Sequence, residues 1–272
     1  MPLPLDILRR QVCALAEETG YFLQKERSKI TASHVETKSM NSFVTYVDKE
    51  SEKKLVKGLR KILPEAGFIT EEETVSKENK KYTWIIDPLD GTTNFIHGLP
   101  CYCISIGLYL SPSSRGSQGE IILGVIYEPN LKEMFYATKN GGAFLNGKKI
   151  SVSKTKKLKD SLLVTGFPTY DLSRMGRYLK LFAYFMRRTR GLRRMGSAAV
   201  DLAYVACGRF EAFYEYSLNP WDVAAGILIV KEAGGKVADF KGGNNFLFGK
   251  EIIASNGNTH TEMLKSVKKF FK

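Results

Sequence analysis

Trp84-Ile85-Ile86-Asp87-Pro88-Leu89-Asp90-Gly91-Thr92-Thr93-Asn94-Phe95 joins a β-rich run to a turn bearing two carboxylates three residues apart. Tyr82 to Ile86 is aromatic and β-branched, the composition of a buried strand. Pro88 stiffens the turn between Asp87 and Asp90, and Gly91 lets the backbone approach a neighbour closely. Thr92 and Thr93 add hydroxyls and N–H groups at what reads as a helix start, where free amides and the helix dipole favour phosphate. Hard divalent cations take oxygen ligands, and Mg²⁺ is usually held by a few carboxylates together with water and substrate phosphate. A bare Asp-x-x-Asp-Gly is ordinarily a plain turn. The longer string is far more specific.

Upstream, Leu8, Val12, Leu15, Thr19 and Phe22 share helical spacing, which predicts an amphipathic helix from Leu5 to Lys25. Ser28 to Asn41 is polar and reads as a loop. Phe43 to Val47 reads as a short strand, and Asp48 as the cap of a helix that Pro64 stops. Glu71, Glu72 and Glu73 follow the apolar pair Phe68-Ile69, so at least one of them is placed to turn inward.

Downstream, Ile104–Leu110 and Ile121–Tyr127 read as paired strands, and Asn146-Gly147 as a hairpin turn between Gly142–Leu145 and Lys148–Val152. Helices are expected at Leu172–Arg188, Ser197–Ala206, Val223–Ala233 and the C-terminus, with strands at Phe210–Tyr216 and Ile252–Ala254. Mixed hairpins and alternating elements together imply an α/β or α+β fold of layered sheets and helices. The domain division expected is 1–152, carrying most of the acidic motifs, and 153–272, carrying Asp222.

The chain has 272 residues and a formal charge of +13, from 41 Lys+Arg against 28 Asp+Glu, so its partners are expected to be anionic. The cations recur along the whole chain and no nucleic-acid motif accompanies them, so solvated faces come first and a dedicated RNA surface second. Cys13, Cys101, Cys103 and Cys207 form no CxxC pair, which argues against a zinc or dithiol site. No signal peptide and no membrane-length apolar run is visible, and the cytoplasm is the expected compartment. His34, His97 and His260 are far apart, and no GxSxG, Walker or GxGxxG string occurs, which weakens zinc and triad chemistry. Carboxylates are the richest resource left, including Asp222 in Asn219-Pro220-Trp221-Asp222-Val223-Ala224-Ala225-Gly226, where an N-cap is the plain structural role.

Glu71-Glu72, the Asp87-to-Asn94 string and Trp221-to-Gly226, in that order, resemble the inositol monophosphatase family of Mg²⁺-dependent, lithium-sensitive phosphatases over nearly the whole chain. The resemblance implies an alternating α-β-α-β-α sandwich, usually dimeric, using two or three Mg²⁺ ions. It implies that Glu71, Asp87 and the Leu89 carbonyl hold one ion, and Asp87, Asp90 and Asp222 a second. Thr92 with Glu71 would orient and activate the attacking water, and the Gly91 and Thr92 amides would hold phosphate. Glu215 and Gly196-Ser197-Ala198 would contact sugar hydroxyls with Asp90 and Asp222. Lys38 and Asp48 match a mobile loop and a weaker third metal position.

Two departures matter. Ser42 stands before Phe43-Val44-Thr45 where the family often has an acid, which puts the loop-side metal in doubt. Arg190, Arg193 and Arg194 crowd the segment before Gly196, and Arg193 matches a substrate-contacting position of bacterial relatives. Such arginines would suit a second phosphate, as in fructose 1,6-bisphosphate or NADP. Thr93-Asn94 resembles the inositol phosphatase branch more than the adenosine 3′,5′-bisphosphate branch. The leading expectation is hydrolysis of inositol 1-phosphate. Fructose-1,6-bisphosphatase or NADP phosphatase is the alternative on the same fold, and a basic RNA- or protein-binding factor is the alternative of another class.

Overall fold

The computed structural model describes residues 3–31, 34–39, 42–78, 80–112, 118–168 and 171–271. Its first half runs α1 (Leu5–Arg27), β1 (Val35–Ser39), β2 (Ser42–Thr45), α2 (Tyr46–Ile62), β3 (Gly67–Thr70), β4 (Tyr82–Asp90), α3 (Thr92–His97), β5 (Cys103–Leu110), β6 (Glu120–Glu128), β7 (Glu133–Thr138), β8 (Gly142–Leu145) and β9 (Lys148–Lys149). The second half runs β10 (Leu162–Thr165), α4 (Met175–Met186), β11 (Gly191–Arg193), α5 (Ala198–Ala206), β12 (Ala212–Tyr216), α6 (Pro220–Glu232), β13 (Lys236–Ala238), β14 (Glu251–Ser255) and α7 (His260–Phe270). Strands β3 to β9 form one seven-stranded sheet in sequence order, and β11-β10-β12-β14-β13 form a five-stranded one.

Successive side chains on a strand point to opposite faces, and this alternation builds the layers. In β4, Trp84 and Ile86 pack with α1 and α2, whereas Ile85 packs with α5 and α6. In β12, Phe213 faces that same helical pair, whereas Tyr214 and Tyr216 join α4 and α7. The order is therefore α1/α2, sheet, α5/α6, sheet, α4/α7, the sandwich that the family resemblance implies. The residues Val223 to Val230 of α6 are all buried, as a helix clamped between two sheets requires. Its small residues permit the approach: a Cβ on Gly124 of β6 would lie 2.7 Å from the Ala225 carbonyl oxygen.

Several local expectations change. The polar stretch read as a loop contains β1, which pairs antiparallel with β2 from Val35–Thr45 onward; a backbone ladder satisfies its polar groups without apolar side chains. Thr45, not Asp48, is the N-cap of α2. Asp48 sits three residues in and closes a capping box on the Thr45 N–H at 2.8 Å. Asp222 likewise occupies the third position behind an Asn219 cap, and α6 begins at Pro220. The helix expected from Leu172 begins at Met175, and the C-terminal helix ends at Phe270. Among the described residues no helix is long and apolar enough to cross a membrane.

Candidate active site

Because Asp87 has the parity of Ile85, its side chain leaves β4 on the face covered by α6, whose first turn carries Asp222. Glu215 has the parity of Phe213 and faces the same helical layer from β12. A cleft of about 140 Å³ opens there, lined by Glu71, Asp87, Asp90, Asp201, Glu215 and Asp222. Gly91, Thr92, Gly196, Ser197 and Ala198 also line it.

Asp87 and Asp222 are held by local backbone, and Asp90 by a distant helix start. The Leu89 N–H donates to Asp87 at 3.0 Å, and the Asn219 N–H to Asp222 at 2.7 Å. Asp90 accepts from Ser197 Oγ and the Ala199 N–H, both at 2.7 Å, at the start of α5. Glu71 opens a turn fastened from α2: buried Glu52 accepts the Glu72 N–H, the Thr74 N–H and the Thr74 hydroxyl, each at 2.7 Å. Thr92 Oγ1 lies 2.9 Å from Asp48 Oδ1 and 3.0 Å from the Leu89 carbonyl. Asp48 is buried, and its other oxygen takes the Thr45 amide and hydroxyl. Gly91 has φ +97°, and a Cβ there would lie 2.9 Å from the Cys101 carbonyl, so the turn requires glycine. Asn94 Nδ2 ties the turn to the second half through the Met195 carbonyl at 2.8 Å.

Burial pushes Asp87 and Asp222 well above the usual carboxylate range, and the charges of Glu71 and Asp90 push both further. Burial raises Asp90 to about 6 despite its Ser197 and Ala199 donors, and Glu215 to about 8. Four acids that raise one another in a half-dry cleft form an all-oxygen donor set for which a hard divalent cation is the fitting counter-charge. Among the described residues, no three His, Cys, Asp or Glu side chains are gathered tightly enough to grip an ion as they stand. The fit therefore rests on the donor chemistry, not on a preformed cage.

The model of the inositol monophosphatase family matches residues 5–270. The chain belongs to the inositol monophosphatase family. It is 38% identical over 255 residues to an inositol-1-monophosphatase of Mesorhizobium japonicum, covering 93% of each chain. It is 39% identical over 257 residues to the Nus factor SuhB of Pseudomonas aeruginosa, covering 93% of this chain and 92% of that one. The crystal structure of the extragenic suppressor protein suhB from Bartonella henselae superposes with a TM-score of 0.88 at 39% identity, over 96% of this chain and 98% of that one.

For a member of the inositol monophosphatase family, most residues singled out in the sequence meet at this one cleft. Leu89 lines it, and its carbonyl is engaged by Thr92. Asp48 reaches the cleft through Thr92, and the Lys38 side chain lies outside the described residues. Arg193 is exposed, its Nη1 donates to the Leu192 carbonyl, and it does not line the cleft; Arg194 does. Neighbouring residues leaving a strand point opposite ways, so the spacing of one residue decides which guanidinium faces the site. Sequence reasoning missed Asp201, which lines the cleft from α5 with Oδ1 buried and, among the described residues, no hydrogen-bond partner. Burial and the nearby Glu215 and Asp90 charges drive its pKa up. It also missed Glu52, one of several charges in a Lys-rich helix. No local signal marks either residue.

Proposed function

We propose that this protein hydrolyses the phosphate monoester of a small polyol or sugar, with inositol 1-phosphate the leading substrate. The observation that carries the reading is the joining, in one cleft, of an acidic donor set with a threonine hydroxyl locked onto a buried aspartate. Family membership and a relative named inositol-1-monophosphatase support it. Glu71, Asp87 and the Leu89 carbonyl would hold one Mg²⁺, and Asp87, Asp90 and Asp222 another, with Asp48 near a weaker third. When bound, Mg²⁺ neutralises phosphate charge and stabilises the departing oxygen.

This chain's residues do the rest. Thr92 Oγ1 donates its hydrogen bond to Asp48 and so turns a lone pair toward the attacking water, while the Glu71 carboxylate takes that water's proton. The new P–O bond forms in line as the P–O bond to the sugar breaks, and the leaving alkoxide takes up a proton from solvent to depart as the alcohol. The Gly91 and Thr92 amides orient the phosphate. Glu215 and the Gly196-Ser197-Ala198 turn accept and give sugar hydroxyl bonds. Arg194 would meet a second phosphate, which keeps fructose 1,6-bisphosphate and NADP as alternative substrates. We further propose a lithium-inhibited, cytoplasmic homodimer; sedimentation would test the dimer.

The deciding experiment is phosphate release from inositol 1-phosphate, fructose 1,6-bisphosphate and NADP side by side, with Mg²⁺ and with EDTA. Mg²⁺-dependent release led by inositol 1-phosphate supports the reading, and release led by another ester reassigns the substrate. No release from any of them refutes it. A second reading, an RNA or transcription partner, is favoured by the relative named a Nus factor and by exposed Arg187, Arg188, Arg190 and Arg193. It predicts RNA retention that falls steeply with salt, and retention indifferent to salt would count against it.

A further inference from the structure

A cavity of about 610 Å³ lies between the C-terminal end of α6, the far ends of β5 and β6, and the segment Asn244–Phe248. It is larger than the catalytic cleft and shares no lining residue with it. Lys231 lies nine residues beyond Asp222 on α6, so about 14 Å separates the two along the helix.

Three aromatic rings line the cavity. Tyr109 and Phe248 meet edge to face at 5.7 Å, and Lys231 Nζ stands 4.7 Å from the Phe246 ring centroid. The other charges of the pocket are engaged. Lys139 pairs with Glu120, and Glu232 accepts the Asn140 and Gly142 N–H groups at 2.8 Å each. Lys231 forms no ion pair among the described residues, and partial withdrawal from water lowers its pKa. Pockets of this size, lined in part by apolar and aromatic side chains with polar groups among them, are a usual form of small-molecule site. A cation over a ring gains most from an anion that brings its own apolar surface.

We propose that this pocket binds a small molecule with a flat aromatic ring and one anionic group, the ring against Tyr109, Phe246 and Phe248 and the anion on Lys231 Nζ. The inference is independent of the reaction proposed for the cleft.

Naphthalene-2-sulfonate is the probe, titrated calorimetrically into the full chain with Mg²⁺ present. One saturable site per chain is expected. Lys231→Met should weaken it about tenfold or more, as loss of a charged hydrogen bond does. Phe248→Ala, at an exposed ring, should weaken it too, while Lys148→Met on β9 should leave it unchanged. Saturating inorganic phosphate should not displace the probe. The proposal is overturned by absence of saturable binding, by full affinity in Lys231→Met, or by displacement with phosphate. Affinity that falls as protein concentration rises would mean that a second copy covers the pocket, and would overturn it as well.

Discussion

Replacing Thr92 by valine keeps the shape and β-branching of the side chain and removes one oxygen. That oxygen bridges Asp48 Oδ1 at 2.9 Å and the Leu89 carbonyl at 3.0 Å. Two costs follow and they separate cleanly. In stability, Asp48 loses one of its donors; a hydrogen bond to a charged group is worth about 1.5–3 kcal/mol. Asp48 keeps the Thr45 amide and hydroxyl on its other oxygen, so the loss should stay within that range. For a chain of this size the melting temperature should fall by roughly 3–10 °C, and the fold should survive.

In turnover, on the proposed mechanism, water loses the acceptor that would aim it, and positioned proton transfer typically contributes about 10²–10⁴-fold. That range corresponds to roughly 3–5 kcal/mol of barrier. Thr92→Ser restores the hydroxyl and should stay within about tenfold of the parent. The assay is kcat for inositol 1-phosphate at saturating Mg²⁺, with calorimetry on the same samples. If Thr92→Val kept near-parental kcat, or Thr92→Ser were as damaged as Thr92→Val, the hydroxyl would have no part in aiming water.

Glu52→Gln should loosen the Glu71–Thr74 turn, raising the Mg²⁺ concentration needed for half-maximal activity by about 10–100-fold while kcat at saturation changes little; an unchanged Mg²⁺ dependence would show that the turn holds itself. Gly124→Val should lower stability by about 1–3 kcal/mol, because its Cβ meets backbone and not a movable side-chain end; an unshifted melting temperature would contradict the packing described. Metal-free protein should lose stability as pH rises. Asp90 and Glu215 have folded-state pKa values raised to about 6 and about 8, so above their unfolded values the native state must keep protons that the unfolded chain has released. Their contribution is present below about pH 4 and is lost progressively up to about pH 8. Mg²⁺ should therefore raise the melting temperature more at pH 8 than at pH 5.5, and a flat profile in EDTA would mean that the acids do not share one low-dielectric cleft.

Legibility in the sequence follows the range of the forces involved. The apolar β-rich runs of β5, β6 and β12, the helical spacing of α1, and the Asn146-Gly147 turn are local, and each element forms near its pattern, though the hairpin arm expected to Val152 ends at Lys149. The polar segment of β1 was illegible because its pairing with β2, not its side chains, makes it a strand. The capping boxes were half legible: Asp48 and Asp222 were seen at helix starts, but which residue is the cap depends on backbone angles.

By itself, the sequence determined the donor chemistry, since Glu71, Asp87, Asp90, Thr92 and Asp222 stand in recognisable local motifs. Its mixed hairpins and alternating elements also pointed to a layered α/β or α+β fold, and its motifs, through the family they resemble, to the order of the layers. Tertiary structure alone decided which groups meet: Thr92 with Asp48 across 44 positions, Asp90 with Ser197 across 107, Arg194 and not Arg193 on the cleft, and Asp201 beneath it. The reason is physical. A motif specifies a side chain's chemistry and its face on one element, whereas distance between elements is set by close packing, here of α6 between two sheets. Small residues such as Gly124 and Ala225 fix that distance from both sides.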